Sequence, residues 1–287
     1  MMPMKKIAIV CDSSVSFTPE EIKHFDVKIA PLTVMNNNHA YIDEVTITKE
    51  EVNNLLRNKE RVTTSQPSIG FMMELFESMV DENYDHVFVL SIGTALSGSY
   101  PSFQQAVNES GLQNTTVINT HTITGPVQQA VRGIREYNER GESIETIQAM
   151  LDKIFSDTIS YVYPETLDQV VLSGRMSKTA QKIASLLRVK PMLYLENKGV
   201  SIEKRSIGRT DRKAFQALVD DMITYHVKPE THDLYLLESE GMAVLESCRD
   251  YLFEKLGTFK YYIIPLPAAV ATHAGLGTIA IQWAPKY

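Results

Sequence analysis

The chain has 287 residues, 44% hydrophobic and 22% charged, enough for one large domain or two of ordinary size. Its 28 Lys and Arg against 35 Asp and Glu leave a net charge of −7, the opposite of the basic stripe a nucleic-acid-binding protein carries. Two distant cysteines, Cys11 and Cys248, read most simply as thiols of a reduced compartment, although two cysteines are able to pair. Met-Met-Pro-Met-Lys-Lys leads straight into Ile7–Val10, too short a run for a signal segment. No run reaches the length of a bilayer span, so a soluble, cytoplasmic protein without stable membrane insertion is expected.

Ile7–Val10 predicts a buried first strand that ends at Asp12-Ser13-Ser14. Thr18-Pro19-Glu20-Glu21 and Thr48-Lys49-Glu50-Glu51 are capping boxes, each opening a helix. Val27–Val34 predicts a second strand, made irregular or peripheral by Pro31, and Asn36–His39 a turn. The polar stretch Val62–Ser68 precedes a helical pattern of Phe71, Met72, Leu75 and Met79. Val87–Leu90 is a third strand, running into Ser91-Ile92-Gly93-Thr94-Ala95-Leu96-Ser97-Gly98-Ser99-Tyr100 and then a helix with Ser97 as its expected N-cap. Thr116–Asn119 predicts a strand, and Thr124–Arg140 a helix stopped by Gly141. Strands alternating with helices indicate βα units and a parallel sheet.

The second half is mixed. Ile144–Phe155 predicts a helix and Ile159–Tyr163 a strand; Leu172–Lys178 is a turn before a helix through Ile183, Leu186 and Leu187. Met192–Leu195 and Val200–Lys204 flank Asn197-Lys198-Gly199 as a hairpin. Helices are expected over 210–225 and 242–256, and strands over Leu234–Leu237, Tyr261–Ile264, Ala269–Thr272 and Thr278–Trp283. The expected fold class is therefore α/β: an N-terminal parallel-sheet α/β domain, residues 1–157, and a C-terminal α+β domain, residues 158–287.

Several motifs fail on context. Gly275-Leu276-Gly277-Thr278-Ile279-Ala280 has the dinucleotide-binding spacing, but too little chain follows for a helix and strand. Ser201-Ile202-Glu203-Lys204 lies on an alternating strand, and no G-x-S-x-G, Walker A loop or His/Cys metal spacing occurs. Ser97 is either a helix cap or a hydroxyl for an anionic group beyond a strand end. Asp12 is either an Asx-turn or a metal-holding carboxylate, Arg175 a phosphate or carboxylate contact or a solvated charge, and His273 a satisfied core residue or a ligand contact. Of the methionines, Met72 and Met79 fit helix core or an adaptable apolar lining equally.

Taken together, Thr63-Thr64-Ser65-Gln66-Pro67-Ser68, Leu96-Ser97-Gly98-Ser99-Tyr100, Ser173-Gly174-Arg175-Met176-Ser177-Lys178 and Thr272-His273-Ala274-Gly275-Leu276-Gly277, after Asp12-Ser13-Ser14, form an ordered set. The set resembles the DegV family of bacterial fatty-acid-binding proteins over essentially the whole chain. Two departures stand out: Leu172-Ser173-Gly174-Arg175 replaces the family's K-G-G-R, and Leu276 replaces the proline of H-x-G-P-G.

The resemblance implies one long-chain fatty acid held in a tunnel between two domains, without cofactor, metal or catalytic residue. It implies carboxyl contacts from Thr64, Ser65, Ser97, Gly98 and His273, either Thr64 or Ser65 facing the ligand. It further implies presentation of the acid to a separate ATP-dependent fatty acid kinase subunit, whose acyl-phosphate product feeds phospholipid synthesis. Arg175, Arg205 and Arg209 are then candidates for headgroup or partner contact. From other classes, the alternatives are an acyl hydrolase with Ser97 and His273 as nucleophile and base, or a lipid-sensing regulator.

Overall fold

The computed structural model describes residues 4–185, 189–195 and 199–287. Leu186, Leu187, Asn197 and Lys198, on which part of an expected helix and turn rests, lie outside the described residues. The strands, in chain order, are β1 (Ile7–Asp12), β2 (Val27–Ala30), β3 (Thr33–Asn36), β4 (His39–Ile42), β5 (Val62–Ser65), β6 (His86–Ser91), β7 (Thr115–Asn119), β8 (Ser160–Tyr163), β9 (Lys190–Leu195), β10 (Glu203–Gly208), β11 (His232–Ser239), β12 (Tyr261–Pro265) and β13 (Thr278–Pro285).

Three sheets result. β2-β1-β6-β7 is wholly parallel, as the βα alternation predicts. β10-β9-β8-β13-β11-β12 is antiparallel except for the β11–β12 pair. The third, β4-β3-β5, is small and antiparallel. The expected strand Val27–Val34 is in fact two, because Pro31 ends pairing in the parallel sheet and the chain re-enters in another as β3. The β3–β4 hairpin turns on Asn37 and Asn38 with φ of 46° and 67°, left-handed values that asparagine tolerates.

Alternation within the strands sorts side chains into layers. Ala8, Val10, Val87 and Val89 pack on the helices Ile69–Met79 and Ser99–Ser110. Ile7, Ile9, Cys11, Phe88 and Leu90 face the helices Gly125–Glu139 and Ile144–Ser156. Tyr235, Leu237, Ala280 and Ala284 of the six-stranded sheet belong to that same cluster, so these two helices are shared between the large sheets. Ile279, Ile281 and Trp283 point the other way, into the helices Asp211–Thr224 and Met242–Leu256. Met72 and Met79 are 0% and 1% exposed in the N-terminal cluster, so the core reading of these methionines holds.

Both capping boxes form, Thr18 with Glu21 and Thr48 with Glu51. One expected element changes type. Ala269–Thr272, read as a strand, lies in a helix, Ala268–Ala274, because alanines following Pro267 favour the helical turn and pack closely. A short helix at Asp168–Leu172 was not expected either.

Candidate functional site

Thr64 sits on β5, directly opposite Val34 of β3. Leu32, Val34, Val62 and Leu56 pack against Ala268, Ala269 and Ala271, which seats the helix carrying His273 on the small sheet. Strand alternation then decides between the two adjacent hydroxyls. Thr64 Oγ1 lies 2.5 Å from His273 Nε2, whereas Ser65 Oγ bonds to Gln66 Oε1 at 3.3 Å. Thr64 therefore faces the site and Ser65 does not.

The loop after β6 is fixed from two sides. Asp12 caps the turn that follows β1 by accepting from Ser14 N, and its other oxygen accepts from Ile92 N at 2.8 Å. This is the Asx-turn reading of Asp12, with a cross-strand tie added; burial pushes its pKa up. A Cβ at Gly93 would lie 2.9 Å from the His121 carbonyl carbon, so only glycine permits this approach to the loop after β7. Ser97 is not the N-cap. The following helix is capped by Gly98 without a side-chain bond, while Ser97 Oγ takes Ser99 N at 3.3 Å and pairs with Ser99 Oγ at 2.9 Å. Gly98 lies beside Gln66, joining the Thr-Ser-Gln-Pro and Leu-Ser-Gly loops.

Arg175 closes the cluster. Its Nε donates to Leu96 O at 3.3 Å, and Nη1 to Ser173 O at 2.5 Å and towards His273 Nδ1 at 3.4 Å. A guanidinium has only donors, so Nδ1 accepts and the imidazole proton sits on Nε2, donating to Thr64. The Thr64 hydroxyl proton is thereby free for a ligand. Burial, and secondarily the Arg175 charge, pull the His273 pKa down to about 4, so the ring is neutral at neutral pH. Arg175, whose own pKa burial lowers, has no ion-pair partner among the described residues.

These groups end an apolar cavity enclosing about 910 Å³ of atom-free space, including open solvent at its mouth. Leu32, Ile92, Leu96, Ile123, Val162, Val170, Leu195, Leu237, Leu266 and Val270 are among its walls, and no methionine among the described residues is. Thr64, Ser97, Ser173, Arg175 and His273 are polar members. Such a mainly apolar hollow with a few convergent polar groups is the form of a small-molecule site. Ser173, Arg175 and His273 also line a second, outer cleft with Lys59, Arg61, Gln169 and Leu172, so they form a wall between cavity and surface.

The remaining candidates lie elsewhere. Arg205, on β10, is ion-paired through Nε and Nη2 with Asp221 at 2.5 and 2.6 Å, and Asp221 also accepts from Tyr161 Oη. Arg209 is exposed just beyond that strand. Neither lines the cavity. His273 bonds to Thr64 rather than Ser97, and a guanidinium rather than a carboxylate stands behind its ring, the reverse of a hydrolase triad. No group of three or more His, Cys, Asp or Glu able to hold a metal occurs among the described residues.

No motif in the sequence marks the apolar walls. Their one signal was the contrast along β13 between small or polar Thr278, Ala280, Gln282 and bulky Ile279, Ile281, Trp283.

Fold and site together define an α/β protein with an apolar cavity capped by hydroxyls, a neutral histidine and an unpaired arginine. Residues 6–286 match the family described as "Uncharacterised protein, DegV family", and the chain belongs to that family. A DegV domain-containing protein of Streptococcus pneumoniae is 26% identical over 282 residues, covering 98% of this chain and 99% of that one. A DegV family protein of Thermus thermophilus, described as binding fatty acid, superposes with a TM-score of 0.87 at 25% identity, covering 98% of this chain and 100% of its own. A stearic-acid-binding protein of Eubacterium ventriosum gives 0.83 at 25% identity and 99% coverage of each chain.

Proposed function

We propose that this chain binds one long-chain fatty acid, with its tail in the apolar cavity and its carboxyl at Thr64, Ser97 and Arg175, His273 orienting Thr64. The observation that carries the reading is the cluster itself: a freed threonine proton and an unneutralised guanidinium at the polar end of an apolar hollow. The fatty-acid-binding family members of matching fold support it.

The energetics are consistent. Each buried methylene contributes about 0.8 kcal/mol, so a tail of some fifteen carbons gains on the order of 12 kcal/mol before ordering losses. The headgroup must then be satisfied, and bonds to an ionised carboxylate contribute about 1.5–3 kcal/mol each. The unpaired Arg175 supplies the charge that neutral hydroxyls lack.

The chain itself is not the catalyst in this reading. It presents the carboxyl through the wall formed by Ser173, Arg175 and His273 to a separate ATP-dependent kinase subunit in the cytoplasm, and the acyl-phosphate passes on to phospholipid synthesis. Exposed Arg209 is a partner contact, whereas Arg205, tied to Asp221, shapes the strand from which Arg209 follows.

The deciding experiment is solvent extraction of the purified chain with mass spectrometry, followed by titration with stearic acid. A fatty acid at about one per chain, or saturable uptake of stearic acid, is expected. A bare chain that takes up none overturns the reading. For the partner step, charge reversal at Arg209 should lower acyl-phosphate formation by an added kinase subunit while leaving lipid binding intact; equal loss of both would remove the partner role.

A further inference from the structure

Along β13 from the histidine helix the cavity has a second polar spot. Ser160 of β8 and Gln282 of β13 both line it and pair across the two strands, yet Ser160 is 4% exposed and Gln282 0%. The position follows from the strand. Thr278 begins β13 beside the histidine helix, its hydroxyl bonded to Ala274 O at 2.8 Å. Thr278, Ala280 and Gln282 share a face, so Gln282 lies roughly 13 Å further along the floor at about 3.3 Å per residue. Counted from Thr278, which lies beside the helix of His273, that places Ser160 and Gln282 part-way along an acyl tail that follows β13 away from its carboxyl, rather than at the carboxyl itself.

The hydrogen bonds there do not close. Gln282 Oε1 accepts from Gly125 N at 3.2 Å and Nε2 donates to Ile123 O at 2.9 Å, which fixes the orientation of the amide. Its remaining proton goes to Ser160 Oγ at 2.8 Å, with Thr122 Oγ1 more distant at 3.3 Å. Thr122 and Ser160 are themselves 3.0 Å apart and share one hydroxyl proton. Two hydroxyls bring two protons, so one is left without an acceptor among the described residues. Thr122 is buried away from the cavity and Ser160 lines it. The satisfied arrangement has Thr122 donating to Ser160, which then turns its own proton into the cavity.

A plain methylene chain leaves that buried donor unmade, and an unmade buried donor is costly. We infer that Ser160 is a specificity-determining donor for an acceptor oxygen near the middle of the tail, so that mid-chain oxygenated fatty acids are preferred ligands. This rests on the fatty-acid reading of the same cavity. A keto oxygen suits the donor best, because it accepts without bringing a proton of its own.

The test is a competition series on the unaltered chain with octadecanoic acid and its mono-oxo derivatives, the keto group near the carboxyl, at mid-chain, or near the methyl end. The mid-chain oxo acid should bind about five- to tenfold more tightly than octadecanoic acid, as one neutral hydrogen bond implies, and the two end-substituted acids should not. Ser160→Ala should bring the ratio of mid-chain oxo acid to octadecanoic acid down to about one. Equal binding of the plain and mid-chain acids, a preference independent of keto position, or a ratio unchanged in a folded S160A overturns the inference and leaves the fatty-acid reading standing. If no acid of the series binds, both fail together. The positional series stands without the variant should S160A fold poorly.

Discussion

At the scale of single residues, the tautomer of His273 decides what Thr64 can do. With the ring proton on Nε2, Thr64 accepts from the histidine and keeps its own proton free to donate. Thr64→Val keeps the shape and removes the donor, and should weaken stearic acid binding by tenfold or more, since bonds to charged groups contribute about 1.5–3 kcal/mol. Thr64→Ser should retain most of the affinity in the same titration. Undiminished binding by the valine variant would take Thr64 out of the site. Two buried titratable groups act in opposite directions on stability. His273 falls to about 4 in the fold, so its contribution is complete above its unfolded value near 6.5 and is lost as pH falls toward 4. Asp43 rises to about 6, chiefly through burial, with Oδ1 without a hydrogen-bond partner among the described residues and Oδ2 accepting from Ser13 Oγ at 2.6 Å. Its raised pKa favours the fold at low pH and costs up to about 3 kcal/mol once pH has passed 6. Asp43→Asn should therefore stabilise the chain by about 2 kcal/mol at neutral pH in urea melts. It should also unmask the acid sensitivity conferred by His273. An asparagine variant less stable at neutral pH would show that the carboxylate is better solvated than its burial implies.

At the scale of elements, what was legible followed from burial. β1 and β6 are almost continuously buried and stood out as apolar runs, and the helices opened by Thr18 and Thr48 carried their capping boxes openly. β4 and β5 escaped, because β4 is largely exposed and β5 is Val-Thr-Thr-Ser, short and polar on the face that serves the site. The same cause hid the site. Its hydroxyl loops were readable as an ordered set, but which of Thr64 and Ser65 turned inward depended on a strand whose existence composition did not signal. Gly125 shows a tertiary constraint that sequence did not signal either. It begins the helix shared by the two large sheets, and a Cβ there would fall 2.2 Å from the Tyr235 ring on β11. Gly125→Ala should cost about 2–3 kcal/mol through this overlap, whereas Gly70→Ala, in a helix with nothing within 4 Å, should gain a few tenths to about 1 kcal/mol. Denaturant midpoints of the two variants test the contrast. A G125A as stable as the parent would mean that Tyr235 moves aside freely.

At the scale of the whole molecule, the strands of the parallel sheet come from the first 119 residues and those of the six-stranded sheet from residue 160 onward, but the packing between them is continuous. Ile134 and Leu151 lie in one cluster with Phe88 on one side and Tyr235 on the other, so neither sheet can lose its partner without exposing helices that both require. We accordingly expect residues 1–157 and 158–287 to unfold in one cooperative transition. The cavity sharpens that expectation, because its walls draw on Ile92 and Ile123 from the first half and on Val162, Leu237 and Ala280 from the second. A tail filling it binds the assembled fold and neither half alone, so ligand should move the whole transition rather than split it. At a free concentration one hundred times Kd, binding adds about 2.7 kcal/mol. For a chain of this size that is a rise of about 5–10 °C in Tm. Calorimetry with and without stearic acid reads both quantities at once: a single peak that shifts as a unit fits the shared core. Two peaks, only one of them moved by ligand, would instead place the cavity within one half and make the helices between the sheets a dispensable contact.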